Sequence, residues 1–299
     1  MKRIRNFPRP DTGNGWEYNL TPRVVAPALN ADLTADWLVI GAGFAGLAAA
    51  RRLAENRPDE HVVLVDACEI ATGASARNSG FVIDIPHNVG GDDGGIAEAQ
   101  RALRLARSAT EWLHDIVKTH QIECQWSPKG QYMAASSPEG AATLDEFTAG
   151  LDLIDETYQN HDVNLRGMIG SDYYSRIIHT PGTVLMQPAA LVRGLAATLP
   201  DNVSVYESTP VTSIDYGPPV VAETPAGRIT AKGVILCVNG FIQEFGFYQG
   251  RVFPIMLFCS MTRQLTEAEH QALGCPEDWG WCRSKPSPPR RSATRRTGV

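Results

Sequence analysis

ADWLVIGAGFAGLAAARRLAENRPDEHVVLVDACEIATGASARNSGFV, residues 35–82, decides the fold of this chain. Residues 36–40 are a short, mostly apolar run that ends in Gly41-Ala42-Gly43-Phe44-Ala45-Gly46. An alanine-rich segment with a basic end follows at 47–56, and a second apolar run, 61–65, is closed by Asp66 and Ala67. The order is strand, glycine turn, helix, strand, acid. Gly41 permits a tight turn, Gly43 lets a pyrophosphate approach the backbone, and Gly46 lets the helix pack close to the sheet. The amides that open the helix, at Phe44 and Ala45, face the phosphates, and the helix dipole favours their charge. Asp66 follows Gly46 by 20 residues, close to the roughly 20 expected for a carboxylate on ribose hydroxyls. A glycine turn alone occurs without a nucleotide; the strand before it, the helix after it and the acid are what point to one. NAD and FAD fit the turn equally.

Residues 70–82, IATGASARNSGFV, bear on that choice. Gly73, Ala74, Ser75 and Gly80 allow close approach, and Asn78 and Ser79 carry groups that hydrogen-bond phosphate or ribityl oxygens. By composition alone the segment also reads as a surface loop. Its Arg-Asn-x-Gly after the ribose acid resembles the second flavin-contacting segment of the D-amino-acid oxidase-like (DAO) family of FAD-dependent oxidoreductases. The resemblance implies FAD as cofactor, with this loop along the pyrophosphate and ribityl chain. It implies that the backbone of Val211, in Thr209-Pro210-Val211, holds the adenine. It also implies that Asn239-Gly240, closing the apolar run 233–238, passes under the flavin nucleotide.

The implied activity is oxidation of a small amine or amino acid, with hydride passing to flavin N5 and the imine hydrolysed afterwards. The cofactor carries that chemistry, and no side chain need be an essential base. Two substrate candidates are His87, where the family's chain passes near the flavin, and Arg251, a possible partner for a substrate carboxylate. Tyr173, Tyr174 and His179 read either as pocket lining or as packing. A chain that holds FAD without turning anything over, and a flavin dehydrogenase with an acceptor other than oxygen, are the alternatives.

Composition excludes other classes. The chain has 299 residues, 43% hydrophobic and 20% charged, with net charge −6. Residues 282–299 hold six basic residues and no acid, leaving 21 basic against 33 acidic residues elsewhere. An acidic body argues against nucleic-acid partners. The six cysteines form no C-x-x-C pair, so neither a zinc site nor a dithiol motif is indicated. No apolar signal core follows Met1, and the apolar stretch 37–50 is too short for a bilayer. A soluble, cytoplasmic protein with reduced thiols is expected.

The expected fold is α/β: a Rossmann-like FAD-binding domain interleaved with an α+β substrate domain that carries an antiparallel sheet. Residues 1–34 form a Pro-rich arm, anchored by Trp16 and Tyr18 or else mobile. The FAD-binding domain takes 35–95 and 187–245, the substrate domain 96–186 and 246–281. Helical spacing of Ala99, Leu103, Ala106 and Leu113 predicts a helix over 96–120. Ser136 with Glu139 fits a capping box for a helix to 154, and Pro188 suits the first turn of another. A strand pair is expected at 125–135 around Pro128-Lys129-Gly130, a hairpin at 221–231, and strands at 203–206, 211–216, 233–238, 251–258 and 261–265. After Trp281 the resemblance stops and the sequence turns to arginine and proline. It reads as a disordered basic tail, or as the result of a reading-frame shift.

Overall fold

The structure is a computed structural model that describes residues 1–9, 13–86, 95–161, 172–255, 257, 260–273 and 281–283. In chain order the elements are β1 (Lys2–Arg3), β2 (Leu33–Ile40), α1 (Phe44–Asn56), β3 (Val62–Val65), β4 (Phe81–Val82), α2 (Gly95–Thr119), β5 (Gln131–Ala135), α3 (Pro138–Leu153), β6 (Gln159–Asn160), β7 (Arg176–Thr180), β8 (Val184–Leu185), α4 (Pro188–Ala197), β9 (Val203–Tyr206), β10 (Ser213–Asp215), β11 (Val220–Thr224), β12 (Gly227–Leu236), α5 (Glu267–Leu273) and β13 (Trp281–Arg283). The chain divides into two compact units. The first comprises Met1–Gly80, His114–Gln125 and Gln187–Met261, and the second Phe81–Leu113, Trp126–Met186 and Thr262–Val299.

The first unit is built on a seven-stranded mixed sheet, β1-β10-β11-β12-β2-β3-β9. Strands β12, β2, β3 and β9 run parallel. The strand β3, VVLV, is buried at every position, as a central parallel strand must be when both faces are covered. Helix α1 lays Leu47, Ala50 and Ala54 inward. On the same helix Arg51 is buried, and its guanidinium donates to the Thr198 carbonyl at 2.7 Å. That bond satisfies an open carbonyl at the C-terminus of α4, where a cation is favourable. On the other side of the sheet, β11 and β12 form the expected hairpin around Pro225-Ala226. The runs read as 221–231 and 233–238 prove to share one ten-residue strand, β12. It pairs with β11 in its first half and with β2 from Ile229 to Leu236, so one strand serves both the hairpin and the parallel core.

The arm is anchored. Lys2–Arg3 adds a strand beside β10, Ile4 is buried, and Gly15–Asn19 forms a 3-10 turn. Trp16 anchors it and Tyr18 does not, being 82% exposed.

The second unit holds the sheet β13-β5-β7-β6, antiparallel except for β13 on β5. Ile85 packs with Ala99 and Leu103 of α2 and Leu151 of α3. Three expectations are corrected here. Residues 125–130 do not fold back on β5. Instead the Ser127 amide donates to the Leu185 carbonyl at 2.8 Å, and β5 takes β7 as its partner. The cap of α3 is Ser137, not Ser136; its Oγ accepts from the Gly140 amide at 3.1 Å. Pro138 explains this, because a proline drives the residue before it into the extended geometry a cap needs. Cys282 and Arg283, expected to open the basic tail, lie in β13; residues 284–299 lie outside the described residues.

The strands expected at 251–258 and 261–265 are also absent among the described residues. Phe253, Ile255 and Leu257 are 87%, 76% and 78% exposed, so among the described residues no partner strand buries the alternating pattern there. Among the described residues no helix is long and apolar enough to cross a membrane.

Candidate nucleotide-binding site

The C-terminal ends of β12, β2, β3 and β9 lie side by side in the register Leu236, Ile40, Val65, Tyr206. Beyond those ends come Cys237, Gly41, Asp66 and Glu207, so the glycine turn and the acid stand next to each other. In open parallel sheets this is the edge where ligands bind.

The turn is closed by the Gly41 amide donating to the Val65 carbonyl at 2.8 Å. Gly41 has φ +102°, a conformation that favours glycine, and a Cβ there would lie 2.4 Å from the Cys237 carbonyl oxygen. A Cβ on Gly46 would lie 1.7 Å from the Gly41 carbonyl oxygen, so the helix sits directly on the turn. Gly43 caps α1 without a side-chain bond, and the first turn of the helix carries no acid. Its amides are therefore aimed at whatever fills the edge of the sheet.

The Asp66 carboxylate is held from two sides. Oδ2 accepts from the Ala42 amide at 2.7 Å, and Oδ1 from the Cys68 amide at 2.9 Å, with Ala67 carried between them. Each oxygen keeps a lone pair for a further donor. Burial pushes this carboxyl above the usual aspartate value of 3.8, and the two amides pull against it.

Sequence reasoning missed Glu207, the second acid at this edge. It is buried and receives the Arg23 guanidinium, at 2.6 Å to Oε1, and the Ala26 amide at 2.8 Å. Burial alone would raise its carboxyl; Arg23 and the amides of Ala26 and Ile70 outweigh that and hold it below the ordinary glutamate range. Through Ile70 it fixes the loop behind Asp66. The signal was present, because Tyr206-Glu207 repeats the strand-then-acid pattern of Val65-Asp66.

The 71–80 loop reaches the turn through Ser75, whose Oγ accepts from the Phe44 amide at 3.0 Å. Ala74 and Ser79 are exposed beside it. Asn78 is turned back on its own loop, donating to the Ser75 carbonyl at 2.7 Å and accepting from the Gly80 amide at 2.9 Å. Gly80 has φ +80°. Val211 is buried in the core behind β2 and β3. Asn239, at φ +49°, opens a 3-10 turn just after Cys237, and Gly240 follows it.

Gly41, Gly43, Phe44, Ala45, Gly46, Asp66, Ala67, Ser75 and Asn239 thus gather at one edge. Arg251 is exposed in the first unit, and His87 lies outside the described residues. In the second unit His179 Nε2 donates to the Lys129 carbonyl at 2.9 Å, and its ring lies 4.6 Å from that of Tyr132, tilted by 36°. Tyr173 and Tyr174 meet edge to face. A cavity of about 220 Å³ lined by Asp36, His61, Pro219 and Lys232 opens at the opposite ends of the strands, away from the glycine turn.

The cradle suits a dinucleotide carrying a pyrophosphate and a ribose diol: the amides that open α1, a side-chain-free Gly43, a loop of small residues and a carboxylate with spare lone pairs. Residues 36–284 match the family model described as DAO, FAD dependent oxidoreductase. The chain is 31% identical over 232 residues to the gamma-glutamylputrescine oxidoreductase of Escherichia coli (strain K12), covering 72% of this chain and 51% of that protein. It is 30% identical over 266 residues to a probable oxidoreductase, OrdL, of Rhizobium meliloti (strain 1021), covering 85% of this chain and 61% of that protein. The crystal structure of glycine oxidase from Geobacillus kaustophilus shares the fold, with a TM-score of 0.62 at 20% identity over 73% of this chain and 59% of that one. The chain therefore spans about half to three fifths of the length of the proteins it matches.

Proposed function

Since the chain belongs to the DAO family of FAD-dependent oxidoreductases, we propose that it forms the FAD-holding part of an enzyme that oxidises a small amine or amino acid. The observation that carries this reading is the junction of the Gly41–Gly46 turn with Asp66 at the C-terminal edge of the parallel strands. FAD, when bound, supplies a two-electron acceptor for hydride from the carbon beside the substrate nitrogen, leaving an imine for water to hydrolyse. The chain's own residues bind and orient. The amide of Ala45 and the bare backbone of Gly43 receive the pyrophosphate, joined by the amide of Phe44 where Ser75 Oγ gives it up. Asp66 accepts from ribose hydroxyls, and Ala74, Ser75, Ser79 and Gly80 line the path of the ribityl chain. The Val211 backbone serves the adenine, and Asn239-Gly240 lies under the nucleotide. Arg251 is the proposed partner for a substrate carboxylate.

The test is anaerobic. Chain loaded with FAD is mixed with a panel of amines and amino acids while the visible flavin band is followed. Bleaching by a member of the panel supports the reading. A band bleached by dithionite and by no amine would point to a chain that holds FAD without turnover. Readmitting oxygen or a dye then separates an oxidase from a dehydrogenase.

Asp66 gives the site a pH dependence of known sign. Ribose hydroxyls donate to an ionised carboxylate, so an occupied site favours the ionised form and lowers the raised pKa of Asp66. Affinity for FAD is then full above that raised value and falls as pH drops through it, starting above the 3.8 of an ordinary aspartate. Fluorescence titration across pH is expected to show this slope, and Asp66→Asn is expected to bind weakly and without it.

A further inference from the structure

We propose that the N-terminal arm is a working part of the FAD site: Asn14 and Trp16 are positioning residues that fix the 71–80 loop against the glycine turn. The inference rests on reading that turn as the FAD cradle.

The loop has bonds of its own, but the carbonyls of Ala71, Ala76 and Asn78 are met from outside it. Ala71 sits at φ +72° without being a glycine, Gly80 sits at φ +80°, and the only regular structure between them is the 3-10 turn Ala74–Ala76. A left-handed alanine persists only where its surroundings enforce it. Here the arm enforces it. Asn14 Nδ2 donates to the Ala76 carbonyl at 2.9 Å and to the Ala71 carbonyl at 3.3 Å. Trp16 Nε1 donates to the Asn78 carbonyl at 2.9 Å. Asn14 is buried, and its Oδ1 accepts from the Trp16 amide at 3.2 Å, so both ends of its amide are used. The arm is in turn tied to α4. Gln187 Nε2 donates to the Trp16 carbonyl at 2.7 Å, and Arg193 pairs with Glu17 at 2.7 Å.

The consequence falls on Ser75. It is the loop residue that meets the helix amide of Phe44, and its Oγ lies 2.7 Å from where a Cβ on Gly43 would be. Its placement beside the cradle is set by three carbonyls gripped from behind by the arm. Losing one buried donor leaves a carbonyl unsatisfied and frees the loop to leave the cradle.

The test uses the full chain. Trp16→Phe keeps a ring and loses the donor; Asn14→Asp keeps the size and sets an acceptor against two carbonyls. Tyr18→Ala, on the same arm but 82% exposed, is the control. FAD dissociation constants, flavin release rates and the fine structure of the bound visible band are measured beside the unfolding midpoint of the FAD-free chain. Trp16→Phe is expected to weaken FAD about tenfold, with faster release and a blurred band, at temperatures where circular dichroism shows it folded. Asn14→Asp should weaken it further, and Tyr18→Ala should match the parent. If Asn14→Asp does not fold, Trp16→Phe decides. Folded variants with parental affinity and spectrum would overturn the proposal, as would affinity that falls only in step with the midpoint. If the parent chain itself binds no FAD, the cradle reading fails and takes this inference with it.

Discussion

Gly46→Ala is expected to destabilise the first unit by about 3–5 kcal/mol, the range reserved for changes that a structure cannot absorb. The added Cβ would stand 1.7 Å from the Gly41 carbonyl oxygen and 2.9 Å from its carbonyl carbon. A Cβ has no rotamer, so the backbone itself must move. The turn has little room to retreat, because the Cys237 carbonyl lies so near Gly41 that even a Cβ there would stand 2.4 Å from its oxygen. The helix cannot lift without opening the packing of Leu47 and Ala50, both buried. An ordinary domain is stable by only about 5–15 kcal/mol, so this one methyl removes much of the margin. Chemical denaturation of the FAD-free chain measures it. An unchanged midpoint would show that helix and turn do not approach as described.

Gly43→Val is expected to do the reverse: leave the fold and abolish FAD binding. The nearest atom to a Cβ on Gly43 is Ser75 Oγ at 2.7 Å, the end of a short side chain that can rotate away at the cost of its bond from the Phe44 amide. The backbone at Gly43 is extended, with φ −79° and ψ −173°, which suits valine. The valine methyls would then occupy the space in front of the first helix amides. A loss of at least about 100-fold in affinity, roughly 2.7 kcal/mol, is expected, with the unfolding midpoint little changed. A folded Gly43→Val chain carrying full flavin would disprove the phosphate assignment. Two glycines three positions apart thus have opposite signatures, one in stability and one in binding.

The parts of the fold that were legible in the sequence are those fixed by local chemistry. The turn from Gly41 to Gly46 is dictated by sterics that only glycine satisfies, and the end of β2, residues 38–40, and all of β3 are buried apolar runs because both faces are covered there. Helix α2 follows from its spacing alone, Gly95–Thr119 against an expected 96–120. What escaped was set by partners distant in sequence. Ser127 bridges Leu185, and β7 runs beside β5; nothing local at 125–130 says which strand it will meet. The run at 251–258 alternates like a strand yet has no partner among the described residues, since alternation records a preference and pairing needs a neighbour. At the site the acid at Asp66 was readable from its spacing. Glu207 showed only as a second strand-then-acid pattern; its role, like that of Asn14, was hidden because each acts by reaching the backbone of another segment, 137 residues away for Glu207 and Ile70 and 62 for Asn14 and Ala76.

The most direct test of the FAD cradle is the visible absorption spectrum of the purified 299-residue chain after incubation with FAD and removal of the unbound flavin. The structure predicts flavin bands that travel with the protein, and their loss in Gly43→Val. A chain that is folded by circular dichroism yet colourless after the same treatment would contradict the assignment of Gly41, Gly43 and Asp66 to a bound FAD.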